Sequence, residues 1–255
     1  MQSEAILTRK PPPADLRFAY GPAVSQFVDV RLPPGKGLHP VVFFIHGGYW
    51  RAGYDLTHAA HLCHSLRQAG IATWNVEYRR VGQPRGGWPG TFEDLRAAFR
   101  ALHGQHDSQQ LDLSRLCVAG HSAGGQLALC LAAHEKSITR AVSLAGILDL
   151  RRAWELHLSN DAVVHFLGGS PQQAPEHYRE ASPAEQEIEA VQKLVHGTAD
   201  DSVPYEIGKG YADRKKSSGE RVELFSLPDV GHFEIIDPES TVWSTVLEVF
   251  TSLLR

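Results

Sequence analysis

One segment of the sequence predicts the fold: Arg115-Leu-Cys-Val-Ala-Gly-His-Ser-Ala-Gly-Gly-Gln-Leu-Ala-Leu-Cys-Leu-Ala-Ala133. Its first five residues form a short apolar run typical of a strand, whereas residues 126–133 are rich in strong helix formers. Between them Gly120, Ser122 and Gly124 form a Gly-x-Ser-x-Gly pattern. A residue at such a junction lies on a sharp turn that lifts its side chain above the sheet, beside a helix N-terminus. The pattern therefore predicts Ser122 as a nucleophile.

Strand-like and helix-like segments alternate through most of the chain. Strand patterns occur at 27–32, 41–45, 71–78, 115–119, 140–145, 191–196 and 222–227, and helical patterns at 55–69, 91–102, 126–133, 204–217 and 241–254. This alternation predicts an α/β fold with a mostly parallel, doubly wound sheet and helices on both faces. Ligands bind at the carboxyl ends of such strands, so we expect the functional residues on the loops that follow them.

The 255 residues suit a single α/β domain, because no linker, repeat or charge block divides the chain. Residues 1–23 contain three consecutive prolines and are predicted to form an N-terminal arm. Residues 149–189 interrupt the alternation with a polar stretch. We interpret them as an insertion of short helices over the sheet edge that forms a cap, lid or pocket wall; a plain surface excursion is the alternative.

Composition argues against several classes of partner. The net charge of −4, with both signs interspersed, gives no electrostatic reason to expect nucleic acid or a membrane surface. No apolar run approaches transmembrane length, and the first ten residues lack the apolar core of a secretory signal. Cys63, Cys117 and Cys130 are expected to be buried, reduced thiols of a cytoplasmic protein. We expect no metal and no cofactor; a homodimer is compatible with the sequence, which leaves the oligomeric state open.

A serine nucleophile needs a general base, and His232 is the best candidate for it. It follows the strand pattern at 222–227 and a glycine turn, so it should stand at the same edge of the sheet as Ser122. The rivals His46, His121 and His196 each lie beside a glycine at a strand end. Local packing or hydrogen bonding explains those three better.

The base in turn needs an orienting carboxylate, for which two adjacent residues compete. Asp200 and Asp201 both follow the strand pattern at 191–196, and Pro204 starts the next helix. We choose Asp200, because Asp201 is better placed to cap the helix or face solvent. The order along the chain is then Ser, Asp, His.

Hydrolysis of an acyl group also needs N–H donors for the developing oxyanion. One donor should be the N–H of Ala123, directly after the nucleophile. The others should come from the stretch His46-Gly-Gly-Tyr-Trp50, which follows the buried strand pattern at 41–45. Its two glycines let the backbone turn inward, and we expect the N–H groups of Gly48 and Tyr49 to point at the site.

These motifs together resemble the α/β-hydrolase superfamily, within it the hormone-sensitive-lipase-like esterase group. His46-Gly-Gly-Tyr-Trp50 is similar to the HGGxW motif of serine-type kynurenine formamidase (arylformamidase), and Glu77-Tyr78-Arg79 and Trp88-Pro89 with Asp94 also match. The resemblance, which runs from about residue 27 to the end, implies a Ser-Asp-His triad and hydrolysis of N-formyl-kynurenine to kynurenine and formate. Tyr49 stands where typical esterases of the group carry a third glycine, which favours the formamidase branch, although general bacterial esterases also carry HGGxW.

Three functional hypotheses follow, each with a small-molecule partner. The first is an arylformamidase-like enzyme, for which Trp50, Trp88 and Trp154 are candidate aromatic walls of the substrate pocket. The alternative for Trp50 and Trp88 is packing beneath the loops. The second hypothesis is a general carboxylesterase for short acyl groups. The third is a non-catalytic binding protein, because a fold does not determine a function.

Overall fold

The computed structural model describes residues 5–255, and an eight-stranded sheet runs through them. Its strands are β1 (Leu16–Ala19), β2 (Phe27–Arg31), β3 (His39–Ile45), β4 (Ala72–Val76), β5 (Leu111–His121), β6 (Arg140–Leu144), β7 (Val191–Gly197) and β8 (Val222–Leu227). The spatial order is β1-β2-β4-β3-β5-β6-β7-β8. The pairings of β1 with β2 and of β2 with β4 are antiparallel and all others are parallel, which confirms the predicted, mostly parallel sheet.

Strand β1 lies inside the segment that the sequence predicts to be an arm. Its side chains are mostly exposed, so it lacks the apolar alternation that marks a half-buried strand. Across the pair with β2, the Arg17 guanidinium donates to both carboxylate oxygens of Asp29, at 2.6 and 2.8 Å. Residues 1–4 of the predicted arm lie outside the described residues.

Helices flank the sheet. They are α1 (Ala5–Thr8), α2 (Ala60–Gln68), α3 (Gly90–Gln105), α4 (Ala123–His134), α5 (Leu150–Glu155), α6 (Ala162–Leu167), α7 (Pro175–Ala181), α8 (Tyr205–Ser217) and α9 (Trp243–Leu253), with 3-10 turns at Leu56–Ala59, Pro183–Glu185 and Glu234–Ile236. The helix predicted over 55–69 therefore starts as a 3-10 turn and continues as α2.

Strand β3 shows why the sheet is covered on both faces. Val41, Phe43 and Ile45 belong to the core that contains α3 and α4. Val42 and Phe44, which point the opposite way, belong to the core that contains α2 and α9. A strand buried on both sides reads as a continuous apolar run, as the sequence of β3 does.

The predicted insertion of short helices is present as α5, α6 and α7. Leu150, Phe166 and Tyr178 are fully buried there and join the same apolar core as α4. The segment is thus packed into the molecule.

Across residues 5–255, no helix is long and apolar enough to cross a membrane. Cys63, Cys117 and Cys130 are buried and free, as expected, and burial raises the pKa of the Cys63 and Cys117 thiols to about 12. Within the described part of the chain, no group of three or more His, Cys, Asp or Glu side chains is arranged to hold a metal ion.

Candidate active site

Ser122 lies on the sharp turn between β5 and α4, as predicted. Its φ of 57° and ψ of −124° are values that a non-glycine residue adopts only where the surroundings enforce them. A Cβ on Gly120 would lie 2.1 Å from the Gly124 carbonyl oxygen, and one on Gly124 would lie 2.0 Å from that of Ile45. These two glycines therefore permit the close packing that holds Ser122 at the carboxyl edge of the sheet.

Asp200 and His232 lie on the loops after β7 and β8 and are joined by a hydrogen bond of 2.7 Å between Nδ1 and Oδ2. The other carboxylate oxygen, Oδ1, accepts the N–H groups of Ser202 at 2.9 Å and Val203 at 2.8 Å. Burial opposes the charge of Asp200, but hydrogen bonds from His196, His232 and the Val203 N–H outweigh it and lower the pKa of the carboxyl well below its usual range. An ionised Asp200 can thus orient the His232 ring through Nδ1.

Asp201, the competing carboxylate, is exposed and accepts a hydrogen bond of 3.3 Å from the Ser202 hydroxyl. The structure therefore places Asp200, and not Asp201, against His232. The carbonyl of Ser202 accepts a hydrogen bond from the Tyr49 hydroxyl, which ties this loop to the glycine turn after β3.

The three rival histidines are buried, and the Nε2 atom of each ring lies close to another group; that of His196 also lies 3.4 Å from Asp200 Oδ2. His46 Nε2 lies 3.3 Å from a buried glutamate. His121 Nε2 lies 3.0 Å from the backbone oxygen of His232, and His196 Nε2 lies 2.9 Å from that of Val203. Burial lowers the pKa of His121 well below its usual range, so its neutral ring can donate to the His232 loop and support it.

The glycine turn after β3 packs directly against the nucleophile. A Cβ on Gly47 would lie 2.9 Å from Ser122 Cβ. Gly48 and Tyr49 have φ values of 105° and 50°, and both line the pocket at Ser122. Their N–H groups, and that of Ala123 at the start of α4, have no protein acceptor among the described residues. These positions are compatible with the predicted oxyanion site, which remains a prediction.

Buried side chains hold this turn from beneath. The His46 ring stacks on Tyr78 with 4.4 Å between centroids, and the Tyr78 hydroxyl donates to the His46 carbonyl at 2.8 Å. Glu77 lies 2.9 Å from the Arg80 guanidinium and accepts the N–H of Leu56 at 3.0 Å. The Glu77-Tyr78 stretch that the sequence singles out is therefore a buried support for the glycine turn.

The three tryptophans predicted to line the substrate pocket lie elsewhere. Trp50 is 1% exposed, donates to Gln126 Oε1 at 2.9 Å and stacks on Phe166 at 4.5 Å. Trp88 stacks on a phenylalanine of α3, and Trp154 packs against the apolar core. No tryptophan is among the described residues that line the Ser122 pocket. The Trp50 ring is part of the core, where burial of its apolar surface stabilises the fold. Trp88 and Trp154 are partly exposed, and their contact with a substrate stays a prediction.

The pocket at Ser122 is small and uncharged. Its cavity volume is about 130 Å³, and its walls are Leu7, Gly48, Tyr49, Tyr54, His58, His121, Ser122, Ser202, His232 and Phe233. Among these described lining residues there is no Asp, Glu, Lys or Arg. Pockets for drug-sized ligands span about 300–1,000 Å³, so this pocket suits a small, neutral group.

Sequence reasoning missed five lining residues: Leu7, Tyr54, His58, Ser202 and Phe233. Ser202 and Phe233 could have been found because they adjoin Asp201 and His232, but the other three carry no motif. Leu7 comes from the predicted arm, whereas none of the described pocket residues belongs to 149–189. The insertion supplies none of the described walls of this pocket, and its apolar side chains pack into the core. Its role as a cap or lid stays a prediction.

Two solved esterases are similar in shape to this chain. A truncated carbohydrate esterase from gut microbiota gives a TM-score of 0.81 at 20% identity, over 96% of this chain and 99% of its own. A thermophilic esterase of the planctomycete Thermogutta terrifontis, solved with propionate bound, gives 0.75 at 20% identity, over 97% and 96%. At such low identity the likeness concerns the fold, and it confirms the predicted α/β-hydrolase fold.

Sequence relatives point the same way. Esterase LipC of Mycobacterium tuberculosis is 28% identical over 250 residues, which cover 88% of this chain and 61% of LipC. A probable isoprenylcysteine alpha-carbonyl methylesterase of rice is 24% identical over 241 residues, 85% of this chain and 56% of its own. This chain thus spans about 60% of the length of these relatives. The family model BD-FAE matches residues 28–213, a region that includes Ser122 and Asp200, and the chain belongs to the BD-FAE family.

Proposed function

We propose that this chain is a serine carboxylesterase that hydrolyses esters of short, uncharged acyl groups. One observation carries the proposal. Ser122, held at a positive φ on the turn between β5 and α4, lines the same pocket as His232, whose Nδ1 is bound by the ionised Asp200 at 2.7 Å. A nucleophile, a base and a group that orients the base are the parts that acyl transfer requires.

In the proposed reaction, the Ser122 hydroxyl attacks the carbonyl carbon of the ester while His232 takes its proton. The tetrahedral intermediate then collapses, and His232 returns the proton to the leaving alcohol. Water next attacks the acyl-enzyme with the same base, which releases the acid and regenerates Ser122. Asp200 holds the His232 tautomer and stabilises the imidazolium formed in each step.

The negative oxygen of the intermediate is bound, in this proposal, by the N–H groups of Gly48, Tyr49 and Ala123. Two facts support the assignment: these amides have no acceptor among the described residues, and Gly47 packs against Ser122. Donors that are already oriented need no reorganisation when the charge develops, which is why they lower the barrier.

The choice of an ester rests on the pocket and on the relatives. A neutral cavity of about 130 Å³ suits an acetyl, propionyl or butyryl group better than a bulky acid. LipC and the rice relative bear esterase names, and the Thermogutta terrifontis esterase was solved with propionate. The arylformamidase hypothesis has less support, because the tryptophans predicted to hold an aryl group lie outside the pocket.

Turnover of p-nitrophenyl acetate and of N-formyl-kynurenine should be compared side by side on wild type, Ser122→Ala and Ser202→Ala. Ser202 is a matched control: it lines the same pocket, but its contacts with Asp200 and Tyr49 are made by its backbone and survive the change. We expect ester turnover that falls by on the order of 10⁵-fold in Ser122→Ala and by less than about threefold in Ser202→Ala.

Formamide turnover that exceeds ester turnover and needs Ser122 would replace the proposal with an arylformamidase. Turnover that survives Ser122→Ala would refute the serine mechanism. A wild type inactive on short esters from acetate to butyrate would favour the non-catalytic binding protein.

A further inference from the structure

One peptide unit of the glycine turn, between His46 and Gly47, is bound at both of its polar ends by side chains. The His46 carbonyl accepts the Tyr78 hydroxyl at 2.8 Å. The Gly47 N–H donates to His58 Nε2 at 3.2 Å. Because rotation of this peptide plane would break both bonds, its orientation is fixed, and it directly precedes the amides of Gly48 and Tyr49.

The hydrogen bond from Gly47 determines the tautomer of His58. A neutral imidazole has one N–H and one acceptor nitrogen. Since Nε2 accepts, the proton must lie on Nδ1. His58, in the 3-10 turn that precedes α2, thus accepts a hydrogen bond from the glycine turn.

The surroundings of His58 keep it neutral. It is 7% exposed, and the rings of His46 and His121 pack edge-on against it at 5.8 and 5.6 Å. Burial, with repulsion from His46 and His232, lowers the pKa of His58 to about 3, although the backbone and carboxylate of Asp55 oppose the shift. Nε2 therefore remains an acceptor at any pH at which an esterase is assayed.

We propose that His58 is a positioning residue for the oxyanion site: by accepting the Gly47 N–H, it holds the glycine turn so that the amides of Gly48 and Tyr49 face the carbonyl oxygen attacked by Ser122. This inference rests on the proposed esterase function. A buried Gly47 N–H without an acceptor would raise the free energy of the folded state. Without His58 the turn would therefore rotate until this N–H found another acceptor. The charge on the oxygen develops in the transition state, so misaligned amides reduce kcat more than they change KM.

Two substitutions separate the acceptor from the volume of the side chain. His58→Leu fills similar space without an acceptor, whereas His58→Gln keeps an acceptor oxygen at a similar reach. His64→Leu, at a partly exposed position on α2, is the matched control. We expect His58→Leu to lower kcat on p-nitrophenyl acetate by about 10- to 100-fold, less than the ~10²–10³-fold loss of a whole donor. We expect His58→Gln to recover to within about fivefold of wild type, and KM to change by less than about threefold in both.

A second measurement reads the hydrogen bond without any turnover. In protein labelled with ¹⁵N-histidine, long-range ¹H–¹⁵N correlations distinguish the two neutral tautomers. We expect His58 to carry its proton on Nδ1 and to stay neutral from pH 8 down to pH 5. Its signals are assigned by their loss in His58→Gln.

Three results would overturn the inference. These are a kcat of His58→Leu within twofold of wild type, equal losses in His58→Gln and His58→Leu at unchanged thermal stability, or a proton on Nε2. A wild type without Ser122-dependent turnover would instead refute the proposed function, and the tautomer spectrum would still decide whether His58 accepts the Gly47 N–H.

Discussion

Two regions leave the same carboxyl edge of the sheet and differ in what holds them. The site loops, residues 46–50, 200–204 and 229–233, are fixed by directed hydrogen bonds such as those to Asp200. The insertion, residues 149–189, is fixed by apolar burial of side chains such as Phe166 and Tyr178. A segment that leaves the carboxyl edge of the sheet is therefore not necessarily part of the site. Substitutions that remove the hydrogen-bonding groups of the site loops, such as the Asp200 carboxylate, should alter activity, and those that remove buried apolar side chains of the insertion should alter stability.

The largest effect is expected from Asp200→Asn in the site loops. Asparagine has a similar shape, but it cannot stabilise the His232 imidazolium as a carboxylate does, and it favours the wrong tautomer. We expect kcat on p-nitrophenyl acetate to fall by about 10³–10⁴-fold. Asp201→Asn changes the neighbouring, exposed carboxylate and should stay within about twofold. Equal losses in the two variants would contradict the assignment of Asp200.

In the insertion, Phe166→Ala should act on stability instead. Phe166 is 1% exposed and stacks on Trp50 at 4.5 Å, so its removal leaves a cavity in the core. We expect the free energy of unfolding, measured with urea, to fall by about 3–5 kcal/mol, while kcat of the folded enzyme stays within about twofold. His165→Ala, at an exposed position on the same helix, is the control and should unfold like wild type.

A loss of kcat in folded Phe166→Ala that matches the loss in Asp200→Asn would contradict this expectation. It would show that the insertion contributes to catalysis, as a wall of the pocket would.

The positions of the functional groups in the site loops were largely predictable, because short sequence patterns specify them. Glycines at 120 and 124 permit a turn that other residues would block, so five consecutive residues predict that Ser122 lies on it. Asp200 and His232 follow because a parallel sheet brings the ends of its strands to one edge. Position along the chain could not separate Asp200 from Asp201, since both lie on the same loop; in the structure Asp200 is hydrogen-bonded to His232.

The pocket walls were not predictable in the same way. The orientation of a large side chain such as that of Trp50 depends on which neighbouring residues leave space for it. These neighbours are distant in sequence, so a local sequence pattern does not predict the orientation. Leu7 reaches the site from the other end of the chain, and β1 carries no apolar alternation because its side chains are mostly exposed. Long-range packing decides these features, and sequence periodicity reports only which face of an element is buried.

Leu7 belongs to neither region, yet it supplies a wall of the pocket. It lines the Ser122 pocket of about 130 Å³ and also a neighbouring pocket of about 290 Å³, and Tyr54 and His58 line both. Leu7→Ala should therefore join the two spaces. We expect the ratio of kcat/KM for p-nitrophenyl octanoate over acetate to rise by about tenfold, since each buried CH₂ contributes roughly 0.8 kcal/mol. Leu16→Ala, at an exposed position on β1, is the control and should leave the ratio unchanged. An unchanged ratio in Leu7→Ala would show that Leu7 does not limit the length of the acyl chain.

The smallest effect should appear in the pH dependence of stability. The hydrogen bonds of Asp200 lower its pKa in the folded protein, whereas the unfolded chain should titrate near the usual value of about 4. The ionised group therefore adds stability above the unfolded pKa, and this contribution is lost as the pH falls through that value towards the folded pKa.

From pH 6 to pH 3, the free energy of unfolding of wild type should thus fall by up to about 1 kcal/mol more than that of Asp200→Asn, which has no carboxylate to protonate. Phe166→Ala keeps the carboxylate and should lose as much as wild type over this range, because its defect lies in apolar packing. Parallel curves for wild type and Asp200→Asn would mean that hydrogen bonds to an ionised Asp200 do not hold the site loops together. The site loops would then not differ from the insertion in depending on an ionised group for their stability.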